Sequence, residues 1–154
     1  MQSTHETADD VAEYLLERTG NALLAGNFDE FSDCFRLPYE LETLEGFRTL
    51  ATPGDMQTTF DAVRGHLVQK QVTLMARHCV SASYRSINEV ASTHETRLIS
   101  RGVLIQQPYP TFSILRRCDD GQWRITSSSY VIVDSEPLNQ ALATRNQPSK
   151  RIAT

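Results

Sequence analysis

Two histidines, His78 and His94, are the side chains of this sequence best suited to proton transfer, because imidazole titrates near neutral pH. Each lies in a strand-like segment, and a short turn separates the two segments. In an antiparallel pair, one extra residue reverses the face on which every later side chain lies. The sequence therefore leaves open whether the candidate catalytic residues His78 and His94 share a face. The simpler interpretation, one surface histidine and one satisfied core histidine, is favoured.

A run of three serines, Ser127 to Ser129, interrupts an otherwise bulky strand. Because alternate residues of a strand point to opposite faces, both faces of the sheet are small and polar at this level. The aromatic residues around it could wall a cavity for a small apolar or aromatic ligand. The candidate lining comprises Tyr14, Phe35, Tyr39, Phe60, Arg97, Tyr109, Phe112, Trp123, Ser127 and Tyr130. For each aromatic residue, a place in the core or in a dimer interface is an equally good interpretation.

Other site chemistries have little support in the sequence. Cys34, Cys79 and Cys118 are odd in number and widely spaced, which is typical of reduced structural thiols and not of a disulfide framework or a zinc site. Serines in a strand interior do not resemble an activated nucleophile, which normally lies on a constrained turn beside its base. We therefore expect no metal and no cofactor.

Length and charge limit the class of protein. The chain has 154 residues and a net charge of −4, which favours one domain and argues against general binding to nucleic acid. Its apolar runs are too short to cross a bilayer, and its polar, acidic start is unlike a secretory signal. We expect one cytoplasmic domain over residues 1–143, followed by a polar tail over residues 144–154, with no membrane partner.

Periodicity predicts the elements that must position these residues. Apolar side chains at helical spacing predict a helix over residues 7–25, a short second helix after Asn27 and a third after Thr52-Pro53. Residues 39–45 and 47–51 alternate as a small edge hairpin. Long strands follow over residues 72–85 and 93–105.

The last predicted unit is a long hairpin over residues 109–134, in which two strand-forming runs flank Asp119-Asp120-Gly121. Asp-Gly is a strong signal for a primed turn. A two-residue turn places Arg117 opposite Arg124, and a three-residue loop places Arg116 there. Either register brings two like charges together, which costs up to about 1 kcal/mol unless an acid such as Asp119 or Asp120 intervenes.

The element order ααββαββββ indicates an α+β fold in which helices cover one face of a strongly curved antiparallel sheet. The Asp-Gly turn followed by a Trp-basic-Ile strand, residues 120–125, resembles the last hairpin of the nuclear transport factor two-like superfamily, with its cystatin-like cone fold. That superfamily includes ketosteroid isomerase, SnoaL-like polyketide cyclases and scytalone dehydratase. The resemblance implies a pocket between the helices and the curved sheet, and homodimers formed through the sheet.

Three functions remain open at this point. The first is a protein that binds a small organic molecule in that pocket. The second is a SnoaL-like cyclase, isomerase or dehydratase, with His78 or His94 as base and a tyrosine donor such as Tyr14, Tyr39 or Tyr130. The third is a protein-interaction module whose pocket has collapsed. A site of the ketosteroid isomerase type is incomplete, because Glu40 and Glu42 alternate with apolar residues and are expected to face water.

Overall fold

The structure is a computed structural model that describes residues 7–133 and 135–143. The predicted tail over residues 144–154 lies outside the described residues. The described elements, in chain order, are α1 Ala8–Ala25, α2 Phe28–Ser32, β1 Phe35–Thr43, β2 Gly46–Leu50, α3 Pro53–Gln69, β3 Leu74–Ser86, β4 Glu89–Ser100, β5 Val103–Leu104, β6 Tyr109–Arg117, β7 Trp123–Tyr130 and α4 Glu136–Leu142. The predicted order is confirmed, with the two-residue strand β5 and the C-terminal helix α4 added to it.

Capping side chains begin the two long helices. Thr7 accepts a hydrogen bond from the Asp10 backbone, and Thr52 accepts one from the Asp55 backbone. In both cases the aspartate reaches back to the capping residue, which completes a capping box. Helix α1 ends at Gly26 in the left-handed conformation. The buried sides of α1 and α3 then pack over one face of the sheet.

The sheet has seven strands in the order β2-β1-β7-β6-β4-β3, with β5 paired to β4. The prediction of a wholly antiparallel sheet is wrong at one place, because β1 and β7 pair in parallel. Local turns force antiparallel pairing between consecutive strands, whereas β1 and β7 come from opposite ends of the chain and no turn constrains them. The fold is therefore α+β with a mixed, mostly antiparallel sheet.

The inner face of the sheet, which faces the helices, carries a polar band across its middle. Residues directly opposite one another on successive strands form rows. Three such rows make up the band: Arg77, Thr96 and Tyr109; Cys79, His94, Thr111 and Tyr130; and Ala82, Ser92, Ser113, Ser128, Leu41 and Arg48. The next row contains Tyr84, Val90, Leu115, Ile125 and Phe35 and is apolar. The polar band is thus bounded by hydrophobic core.

Two β-bulges decide which side chains enter this band. In β3, Cys79 lies opposite His94 and Ser81 lies opposite Thr93, so Val80 is the extra residue. In β7, Ser127 lies opposite Ile114 and Ile125 lies opposite Leu115, so Thr126 is the extra residue. Each bulge reverses the alternation of the strand that contains it.

The tip of the last hairpin differs from a two-residue primed turn. Gly121 donates a backbone hydrogen bond to Cys118, and Cys118 donates one to Gln122 across the loop. Gly121 has φ 86°, which completes a three-residue loop with a glycine bulge. The register consequently pairs Arg116 with Arg124, the second of the two predicted alternatives.

Each of these two arginines pairs with acidic side chains, and one of these acids, Asp120, is the one that the sequence predicts. Arg124 Nη2 lies 3.0 Å from Asp120 Oδ2 and 3.1 Å from Asp33 Oδ1. Arg116 Nη1 lies 3.0 Å from Glu89 Oε1.

Within the described ranges, no helix is long and apolar enough to span a membrane.

Candidate functional site

A cavity of about 70 Å³ lies between the helices and the polar band of the sheet. Its helical wall is apolar and includes Ala12, Leu15, Leu16, Leu23, Met56, Val63, Leu138 and Leu142. Its sheet wall is mostly polar and includes Tyr39, Arg77, Ser92, His94, Thr96, Tyr109, Ser113, Ser128 and Tyr130. An amphiphilic molecule fits such walls, because it can place its apolar body on the helices and its polar atoms on the sheet.

Three tyrosines converge on this cavity. Tyr39 and Tyr109 are 3% and 6% exposed, and the rings of Tyr109 and Tyr130 are 6.5 Å apart. Burial, helped by Tyr130, raises the pKa of Tyr39 and Tyr109 well above that of an exposed phenol. Tyr39 and Tyr109 therefore stay protonated and can donate hydrogen bonds to a molecule in the cavity.

His94 lies in the middle row of the band and is 5% exposed. Burial is the main cause that lowers the pKa of His94 to about 2, and the charges of Arg77 and His78 add to it. The imidazole is therefore neutral at physiological pH. A group with so low a pKa is a weak proton acceptor, so His94 is better suited to hydrogen bonding than to general base catalysis.

Arg77 supplies the positively charged side chain of the cavity wall. Its Nη1 donates to Thr19 Oγ1 at 2.7 Å and to the Leu16 carbonyl at 3.3 Å, and its Nη2 lies 3.5 Å from His94 Nε2. All three partners are uncharged. Among the described residues that line the cavity there is no aspartate or glutamate.

Two buried polar atoms in adjacent rows of the band have no hydrogen-bond partner among the described residues. They are Arg77 Nε and Thr111 Oγ1. Buried polar atoms in proteins are nearly always paired, so each such atom needs an explanation. A polar molecule in the cavity is one explanation for Arg77, whose side chain lines it.

The two predicted catalytic histidines lie on opposite faces of the sheet. His78 is opposite Glu95 in the ladder, whereas Cys79 is opposite His94. The His78 side chain is 53% exposed, and its Nε2 is 4.0 Å from Glu95 Oε1. Ala82 faces inward, and regular alternation along β3 would make His78, four residues earlier, face inward too. The extra residue at Val80 reverses the alternation, so His78 faces outward. The condition for a histidine pair is therefore not met.

Three of the predicted lining residues lie on the outer face, because their neighbours in the same strands, Thr96, Thr111 and Ser128, face inward. Arg97 contacts Glu95 at 2.6 Å, and Phe112 is 48% exposed. Ser127 faces outward and Ser128 faces inward, because Ser128 is two residues from the inward-facing Tyr130. Phe112 and Ser127 line a different, open groove of about 430 Å³ on this outer face.

Three further predicted residues are packed beside the cavity and do not line it. Phe60 stacks against Phe28 and Phe31, with ring centroids 5.4 and 4.9 Å away. Trp123 packs 6.2 Å from the Tyr84 ring in the apolar row. The Tyr14 hydroxyl accepts a hydrogen bond from Arg18 at 3.2 Å, on the flank of α1. Phe35, Tyr39, Tyr109 and Tyr130, by contrast, line the cavity together with His94.

Sequence reasoning missed several residues of the band. The alternation of Ser92, His94 and Thr96 in one strand was available, because residues two apart in a strand share a face. The same rule was available for Ser128, which is two residues from Tyr130. Arg77 had no comparable signal, since the bulge at Val80 separates it from Ala82 of the band.

Comparison with known proteins supports the fold and leaves the function open. No protein-family model matches the chain, and no curated protein is similar to it in sequence. Solved structures are similar at low identity. A nuclear transport factor two-like protein of unknown function from Shewanella oneidensis is 15% identical, with a TM-score of 0.62 over 79% of this chain and 97% of that one.

Two other structures are similar to the same degree. A nuclear transport factor two-like protein with a cystatin-like fold from Novosphingobium aromaticivorans is 16% identical, with a TM-score of 0.61 over 88% of both chains. A ketosteroid isomerase-like protein from Erwinia carotovora atroseptica is 12% identical, with a TM-score of 0.59 over 85% of this chain and 100% of that one. The chain has the nuclear transport factor two-like, cystatin-like fold, as its last hairpin predicts.

Proposed function

We propose that this protein binds a small organic molecule in the cavity between its helices and its curved sheet. The observation that carries the proposal is the polar band on the inner face. A sheet that only packs against helices needs an apolar inner face, yet three rows of this one present hydroxyls, an imidazole and two guanidinium groups to apolar helices. Convergent polar groups in a mainly apolar enclosure are typical of ligand sites.

Binding is better supported than a cyclase, isomerase or dehydratase activity. The cavity wall has no described carboxylate that could act as a base of the ketosteroid isomerase type. His78 faces away from it, and His94 has a pKa of about 2. Proton abstraction needs a base whose pKa lies nearer to the working pH.

A collapsed, protein-binding form is also less well supported. That function requires aromatic side chains to fill the space between helices and sheet. Phe28 and Phe31 pack against Phe60 at one side of the cavity, and Trp123 packs against Tyr84 of the apolar row. The central space over the polar band remains open.

The proposal is tested by binding of a fragment library to the wild-type protein and to Ala12→Leu. Ala12 lines the cavity from α1 and is 3% exposed, so a leucine there fills part of the space. We expect fragments that raise the melting temperature of the wild type by a few degrees and that no longer do so in Ala12→Leu. Ligand-observed NMR gives an independent measure of the same binding.

Ala76→Leu is the matched control, because Ala76 lies opposite Arg97 on the outer face of the same sheet. It makes the same change in volume away from the cavity and should leave fragment binding intact. The proposal that the cavity binds a ligand is contradicted if no fragment binds. It is also contradicted if the fragments bind Ala12→Leu as tightly as the wild type.

A further inference from the structure

The charge balance of the cavity, taken together with the binding function proposed above, indicates the class of its ligand. We propose that the cavity takes a small organic anion, a carboxylate on a short apolar body, whose charged group lies against Arg77. The step beyond the proposed function is the sign of the ligand's charge and the residue that recognises it.

Arg77 differs in its partners from five other arginines of the described chain. Each of these five contacts a carboxylate: Arg18, Arg85, Arg97, Arg116 and Arg124. Arg77 has no carboxylate within ion-pair distance among the described residues, and its guanidinium contacts only Thr19, Leu16 and His94. A partly buried cation without a counter-charge is unfavourable, and an anion in the cavity would supply that charge.

The geometry of the guanidinium also suits a carboxylate. Its Nη1 is held by α1 and its Nη2 by His94, so the group has a fixed orientation. Its Nε is buried and has no hydrogen-bond partner among the described residues. Arginine nitrogens that are held in one plane match the two oxygens of a carboxylate.

The neighbouring polar groups are suited to an anion as well. Tyr109 is in the same row as Arg77, two strands away across the sheet. Tyr39 lies close enough to Arg77 for the positive charge to act on the pKa of its phenol. The raised pKa of Tyr39 and Tyr109 keeps both phenols as donors. No described acid lines the cavity to repel a carboxylate.

The size of the cavity limits the apolar body. An engineered apolar cavity of roughly 150 Å³ holds one benzene ring, so a cavity of about 70 Å³ favours an apolar body smaller than a ring. Short branched carboxylates meet this limit, and benzoate exceeds it. The apolar side chains of α1, α3 and α4 would contact the hydrocarbon part.

The experiment compares butyrate, isobutyrate, isovalerate and benzoate with the corresponding amides, by NMR titration of the wild-type protein at pH 7. Each amide has nearly the shape of its acid but no charge. We expect at least one carboxylate to bind about tenfold or more tightly than its amide, as charged hydrogen bonds predict. Ala12→Leu should abolish this binding, which locates it in the cavity.

Substitution then tests Arg77 itself. Arg77→Met should reduce the preference for the carboxylate to less than about twofold, and Arg77→Lys should keep part of it. Arg97→Met, on the outer face of the adjacent strand, removes the same charge and should change nothing. The wild-type comparison stands alone if a variant at Arg77 fails to fold.

Three outcomes separate the two proposals. A carboxylate preference that depends on Arg77 supports the anion site. Amides or other neutral fragments that bind in the cavity as tightly as the carboxylates overturn the anion site and leave the binding function standing. Absence of cavity binding by either class, and by the fragment library, overturns both.

Discussion

His94 combines burial with a nearby positive charge, and both oppose its protonation. It is 5% exposed, and Arg77 Nη2 lies 3.5 Å from its Nε2. On the inner face His94 is flanked in its row by Cys79 and Thr111 and faces Arg77, while His78 lies across the sheet. The neutral imidazole is consequently an internal hydrogen-bonding group of the folded state.

Acid pH should destabilise the fold through this residue. The pKa of His94 is about 2 in the folded protein and about 6.5 when unfolded, so the unfolded state binds more protons between these values. Stability is fully present above pH 6.5 and falls by up to about 1.4 kcal/mol for each pH unit below it. Urea unfolding of the wild type at pH 6.5 and pH 5 should differ by about 2 kcal/mol from this source.

His94→Asn should remove most of that difference, since asparagine does not titrate. His66 contributes in the same direction, because burial and Lys70 lower the pKa of its imidazole, so a smaller dependence remains. His78→Asn, at an exposed position of the adjacent strand, is the control and should keep the wild-type difference. An unchanged pH dependence in His94→Asn would contradict the assignment of a neutral buried histidine.

At the level of elements, the end of α1 is locked to α3 by one arginine. Arg64 Nη1 donates to the carbonyls of Leu23 at 2.7 Å and Leu24 at 3.0 Å, which are unpaired carbonyls of the last helical turn. Its guanidinium packs against Gly26, which has φ +76°. This contact fixes the angle between two of the helices that cover the cavity.

Gly26→Ala should therefore destabilise the protein. The added Cβ would lie 2.9 Å from Arg64 Cζ and would also strain the left-handed backbone. We expect a loss of about 1–2 kcal/mol in urea unfolding, with the larger value if Arg64 releases its two carbonyls.

Gly65→Ala is the matched control within α3. A Cβ there meets no atom within 4 Å, and alanine favours the helix, so this variant should gain about 0.5–1 kcal/mol. Equal effects of the two substitutions would show that Arg64 does not lock the helices.

Across the whole molecule, the two faces of the sheet differ in the side chains that they present. The inner face holds the polar band, whereas the outer face exposes Phe47 and Phe112, at 60% and 48%, around an open groove. Large apolar side chains around a groove are typical of surfaces that associate. We predict that this outer face forms the homodimer interface that the resemblance implies.

Phe112→Glu should convert the predicted dimer into a monomer, because the substitution replaces one of the two exposed phenylalanines of the groove with a charge. Sedimentation velocity at micromolar concentration measures the change directly. Ile87→Glu is the control, since Ile87 is 74% exposed at the β3–β4 turn and lies outside the groove. A wild-type protein that sediments as a monomer at all concentrations contradicts the prediction.

Local patterns in the sequence determined the elements and several of their faces. The order of helices and strands follows from their different apolar periods, and Tyr39 and Leu41 face inward while Glu40 and Glu42 face outward, as alternation predicts. The sequence also predicted that two arginines meet near the hairpin tip and that an acid pairs there, because Arg116, Arg124 and Asp120 belong to one hairpin. These features depend only on residues near one another in the chain.

The tertiary structure alone decided which side chains meet in the cavity. Relative to Ala82, the bulge at Val80 turns Arg77 inward and His78 outward, and the bulge at Thr126 puts Ile125 on the same inner face as Ser128. One extra residue reverses the face of all residues beyond it, and its position is set by hydrogen bonds to the partner strand of the hairpin. The alternation of residues within one strand does not show where a bulge falls. The elements were therefore predictable from the sequence, and the composition of the site was not.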